Sequence, residues 1–73
     1  MSTESKFAEY YHSGLRLFRV HNLDRAIAEF TKAIRLDPGH ADAYYCRGNV
    51  LFELGRIQDA EADYDVAKRL SKR

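Results

Sequence analysis

Tryptophan is absent from this chain, and proline, cysteine and methionine each occur once. A single thiol, Cys46, cannot close an intramolecular disulfide, so the fold has to hold without covalent cross-links. Charge of one sign is also missing. Twelve basic residues stand against eleven acidic ones, which gives no broad field to steer nucleic acid or an anionic membrane surface. The polar start Met1-Ser2-Thr3-Glu4-Ser5-Lys6 offers no apolar stretch for secretion or membrane anchoring, and the cytoplasm is the expected location. Chemistry is sparse as well. His12, His21 and His40 are too scattered for a recognisable zinc spacing, and Cys46 has no second cysteine to join it as a metal ligand. A catalytic thiol needs a positioned base and an orienting group, and neither is visible around Cys46. No glycine-rich phosphate loop occurs, and Asp59, Glu61, Asp63 and Asp65 read as a solvated helix face rather than an acid/base pair. The expectation is therefore no enzyme, no cofactor and no metal. With 73 residues, the chain makes one domain over 1–73 with a thin core, because so short a chain buries only about 60% of its unfolded surface.

What is present is a repeat. Gly14 and Gly48 are 34 residues apart (48 minus 14), and sliding the chain by that offset pairs Tyr10 with Tyr44, Tyr11 with Tyr45, Leu17 with Leu51, Phe18 with Phe52, Ala26 with Ala60, Phe30 with Tyr64, Ala33 with Ala67 and Leu36 with Leu70. A fixed period in this range marks stacked supersecondary units, each too small to bury its apolar face alone. Hydrophobic periodicity within the units predicts four amphipathic helices over 4–20, 24–36, 41–54 and 57–71. Pro38 and Gly39 end the second helix, since proline cannot continue the hydrogen-bond ladder and glycine opens the turn. Gly55 is expected to take positive φ after the third.

These residues resemble the tetratricopeptide repeat, whose signature runs W-x2-L-G-x2-Y, then A-x3-F, then P on a period of 34. The first copy reads Tyr10, Ser13, Gly14, Leu17, Ala26, Phe30, Pro38 and the second Tyr44, Arg47, Gly48, Leu51, Ala60, Tyr64. Tyrosine replaces tryptophan in both, Ser13 and Arg47 stand where leucine is preferred, and Lys72 falls where a second proline would be. The resemblance implies an all-α fold, two stacked antiparallel helix-turn-helix repeats forming a short right-handed α-solenoid, with repeat one over about 7–40 and repeat two over about 41–73. It also implies that Gly14 faces Ala26 and Ala33, that Gly48 faces Ala60 and Ala67, and that the function is protein–protein interaction as an adapter or scaffold.

On the first helix Tyr11, Leu15 and Phe18 form a second apolar stripe beside Tyr10, Gly14 and Leu17, and on the third Tyr45, Asn49 and Phe52 repeat it. By resemblance these six line a concave groove for a peptide; packing between neighbouring helices is the other reading of the same residues. Some family members grip a chaperone's terminal carboxylate with a lysine and an asparagine one turn apart. Tyr11 and Leu15 occupy those positions here, so an apolar or aromatic segment is expected instead of a chaperone tail.

The copies differ where an end must meet water. Ile27 and Ile34 become Glu61 and Lys68, while Ala43, Val50 and Leu54 correspond to Glu9, Arg16 and Val20. Ile27, Phe30 and Ile34 are thus expected to pack on Ala43, Val50 and Leu54, with both outer faces solvated and the stack stopping at two. Two repeats are fewer than solenoids generally use, so the alternative function is a self-assembly unit that pairs through the groove or the repeat ends.

Overall fold

The computed structural model describes residues 3–73. Among the described residues there are four helices and no strand: α1 Thr3–Arg19, α2 Leu23–Leu36, α3 Ala41–Glu53 and α4 Ile57–Ser71. Each bound lies within one residue of the expected one. None of these helices is long and apolar enough to cross a membrane.

The ends of α1 and α3 are built alike. After α1 the His21 N–H bonds the Phe18 carbonyl at 2.9 Å and the Asn22 N–H bonds the Leu17 carbonyl at 2.8 Å; after α3 the Gly55 N–H bonds Phe52 and the Arg56 N–H bonds Leu51, both at 2.9 Å. This paired pattern closes a helix around one left-handed residue. That residue is Gly55 at φ 83° in the second repeat but His21 at φ 65° in the first. A β-carbon in this region costs about 1–2 kcal/mol, partly offset by the greater freedom glycine has when unfolded. His21→Gly is therefore expected to stabilise the protein by about 0.5–1 kcal/mol, read as a higher urea midpoint. No gain would mean that the histidine side chain makes a compensating contact. Between α2 and α3, Asp37 Oδ1 accepts the Gly39 N–H at 3.2 Å, a local turn that lets Pro38 follow the helix end directly.

Backbone packing is confined to neighbours: α1 on α2, α2 on α3, α3 on α4, with a light contact between α1 and α3. Ala26, Phe30 and Val50 form the fully buried centre. Within each pair the glycine's nearest neighbour is an aromatic ring, and Gly48 also faces the Ala60 backbone as expected. A β-carbon on Gly14 would lie 2.7 Å from the Phe30 ring, and one on Gly48 2.7 Å from the Tyr64 ring and 3.3 Å from the Ala60 carbonyl. The alanines are buried, but the ring at the centre of the second helix fills the space the missing side chain leaves. At the repeat interface Ile34, Ala43 and Val50 are buried as expected, whereas Leu54 lies at the rim, 37% exposed.

Candidate functional site

The six stripe residues fall into two environments. On α1, Tyr11 stacks on Phe7 at 5.6 Å, meets Phe30 edge-on at 5.9 Å and lies 5.5 Å from the His40 ring. Its hydroxyl reaches Cys46 Sγ on α3 at 3.7 Å. Leu15 and Phe18 pack against the Ala26, Phe30 and Val50 centre. On α3, by contrast, Tyr45 is 54% and Phe52 56% exposed. Asn49 between them accepts the Tyr64 hydroxyl at 2.6 Å, and the Tyr45 ring lies 5.5 Å from the Tyr64 ring. The difference has a geometric cause. The α3 helix packs on the first pair, so the α1 stripe is half-covered; nothing among the described residues packs on the equivalent surface of the second pair. Tyr45, Asn49, Phe52 and Tyr64 are the repeat-two counterparts of a surface that is occupied in repeat one.

The Tyr11 and Cys46 contact is poor in charge. Burial, with the Cys46 hydrogen bond, pushes the Tyr11 phenol well above its ordinary value near 10.0. Burial likewise raises the Cys46 thiol above 9.0, the hydrogen bond from Tyr11 opposing it and Asp42 adding to it. Both groups are acids whose folded values exceed their unfolded ones, so the fold favours their neutral forms. The stability they contribute is intact below about pH 9 and is lost as pH climbs through and beyond the unfolded values. The urea midpoint is expected to fall from about pH 9 upward, and Tyr11→Phe should shrink the part of that fall above about pH 10; an unchanged slope there would remove Tyr11 as its source.

The most connected polar side chain lies outside the stripes. Arg47 on α3 donates two hydrogen bonds to Asp63 on α4, Nε to Oδ2 at 2.7 Å and Nη2 to Oδ1 at 2.8 Å, and Nη1 reaches Thr31 Oγ1 on α2 at 3.2 Å. Its guanidinium also lies 5.8 Å from the centre of the Tyr44 ring. Hydrogen bonding to Asp63 raises the guanidinium's already high affinity for its proton, against the opposing effect of burial. Asp63 is only 6% exposed, which corrects the expectation that it shares a solvated face with Asp59, Glu61 and Asp65. The 34-residue offset carried the signal, because Arg47 and Asp63 correspond to Ser13 and Glu29. In that first pair, burial would raise the Glu29 carboxyl, but hydrogen bonds from Lys32 and Ser13 outweigh it and hold the group below its ordinary value.

Among the described residues no three His, Cys, Asp or Glu side chains converge as a metal site needs. Elsewhere the chain is similar to known sequences. A family model described as tetratricopeptide repeat matches residues 11–72. An uncharacterized protein of Methanocaldococcus jannaschii is 34% identical over 61 residues, spanning 82% of this chain and 71% of that protein.

Proposed function

The chain belongs to the tetratricopeptide repeat family, and from that premise we propose that it docks an apolar or aromatic protein segment on the stripe residues of α3. Members of the family generally mediate protein–protein interaction and are generally not enzymes. The observation that carries the finer reading is the exposure of Tyr45 and Phe52, two large aromatic residues seven positions apart on one helix face. Burying such side chains is strongly favourable, and aromatic anchors of this kind dominate interface energies. Asn49, already accepting from Tyr64, sits between them as a polar group able to orient a bound backbone. Tyr11, Leu15 and Phe18 act mainly as the packed support of this surface, with their remaining exposed edges extending it towards α1.

Selection from a displayed peptide library, followed by titration of a selected peptide while the aromatic NMR signals are recorded, tests the proposal. Tyr45 and Phe52 should shift, and Tyr45→Ala or Phe52→Ala should weaken binding by about tenfold or more, while Arg35→Ala on the exposed side of α2 should not. Shifts confined to α2 and α4 would sink it.

A further inference from the structure

The geometry points to a second copy of this chain as a partner for the open face of the second repeat: the α1 helix of one copy lies on α3 and α4 of another as α3 lies on α1 and α2 within the chain. This rests on reading the Tyr45 and Phe52 face as a docking surface, and it names the occupant.

The internal interface supplies the register. The α2 and α3 helices are joined by four residues, Asp37–His40, and so run antiparallel, and the Arg47 to Thr31 hydrogen bond places residue 47 against residue 31. One residue from that pairing, Ile34 falls opposite Ala43, Ile27 opposite Val50 and Leu23 opposite Leu54; of these Ile34, Ala43 and Val50 are buried, and Ile27 and Leu23 pack against the buried centre. A second copy entering one period later replaces α2 by α4 and α3 by its own α1. The opposed residues then become Lys68 with Glu9, Glu61 with Arg16 and Ile57 with Val20. Both charged pairs have opposite sign, and the third pair is apolar. The Tyr11 hydroxyl, which meets Cys46 inside the chain, is replaced by Tyr45, which would meet His12, a ring nitrogen able to hydrogen-bond a phenol.

The groups involved are accessible and largely uncommitted. Val20 is 71% and Ile57 41% exposed, and Glu9, His12, Arg16, Glu61 and Lys68 are all exposed. Among the described residues Arg16, Glu61 and Lys68 take part in no ion pair, and Glu9 has only a long contact with Lys6 at 3.9 Å. The charges that replace isoleucine, alanine and valine at the two outer faces therefore do more than make those faces wettable. They are complementary to one another in the register that the fold already uses. The contact is head-to-tail, so each added copy exposes a fresh α3 and α4 face, and assembly is open-ended rather than closed at two.

Exchanging charges within one face separates this from a symmetric pair. E61K/K68E opposes like charges to Glu9 and Arg16, and E9R/R16E does the same from the other side. If α4 instead met α4 antiparallel, E61K/K68E would leave the complementarity intact. Sedimentation equilibrium of the full chain, carried to about 1 mM where weak interfaces form, should show an average mass that rises past two copies. Each exchange variant should associate about tenfold or more weakly, an equimolar mixture of the two should recover association, and circular dichroism should show both folded. A chain that stays monomeric across the range overturns the stacking, as does a plateau at two copies that E61K/K68E leaves unchanged. Either result leaves the docking face to be decided by the peptide titration at Tyr45 and Phe52.

Discussion

Truncating Arg47 to alanine is expected to lower the unfolding free energy by about 3–5 kcal/mol, because it leaves a buried carboxylate without its counter-charge. Asp63 has 8% of its side chain exposed and receives both of its strong hydrogen bonds from this one guanidinium. A chain of 73 residues has about 4–11 kcal/mol of stability in total at typical values per residue. Arg47→Ala should therefore lose at least about a quarter of the normal urea midpoint, and be largely unfolded at room temperature by circular dichroism if the total lies at the low end of that range. The reverse truncation, Asp63→Ala, should cost less, since the Arg47 side chain keeps 22% of its surface in contact with water and retains Thr31. Replacing both residues by leucine should recover much of the loss, because a buried ion pair contributes little net stability over packed apolar groups of similar volume. A cost below about 1 kcal/mol for Arg47→Ala, the range of an exposed pair, would contradict the burial of Asp63.

Gly14→Ala carries the second large effect, an expected loss of about 1–3 kcal/mol from overpacking. In an exposed helix the same change would gain about 1 kcal/mol of helix propensity, so the sign itself is diagnostic. The new methyl group would sit 2.7 Å from the Phe30 ring, and Phe30 is fully enclosed, so the ring cannot swing aside without moving α1 away from α2. Gly48→Ala meets the Tyr64 ring at the same distance, but Tyr64 is only half-buried and can rotate at the expense of its bond to Asn49. Its cost should be the smaller of the two. Thermal unfolding of both variants checks the order, and equal or reversed effects would mean that Phe30 relaxes or that the Ala60 carbonyl, 3.3 Å from the methyl added at Gly48, holds its place.

Helix number and bounds were legible because Pro38, Gly39 and Gly55 mark interruptions and the apolar periodicity fills the spaces between. The first αL position was harder to see, since a histidine holds it where the second repeat has glycine; only the offset relates His21 to Gly55. The family resemblance implied that Gly14 and Gly48 face alanines, and Gly48 does face Ala60, but the nearest neighbour of each glycine is the ring of Phe30 or Tyr64, which the resemblance did not indicate. Arg47 and Asp63 were invisible as a pair when each was taken alone, one as a departure from leucine and the other as part of an acidic run. Their link depends on two helices facing each other across sixteen residues, a relation that helix periodicity does not contain. For the stripe residues, the sequence treats Tyr11 and Tyr45 as equals; the fold separates them, because α3 packs on Tyr11, whereas Tyr45 meets Tyr64 of its own pair and stays half exposed.

Among the described residues, the packing contacts between helices join elements that are adjacent in the chain or one element apart, and α1 and α4 make none with each other. No distant segment has to be found before the core can form, so the entropy of closing long loops hardly enters the barrier. Helical proteins with contacts this local fold in microseconds to milliseconds. Either hairpin, α1 with α2 or α3 with α4, can assemble first and offer the docking surface for the other. A temperature-jump experiment should accordingly find one fast relaxation with linear chevron limbs.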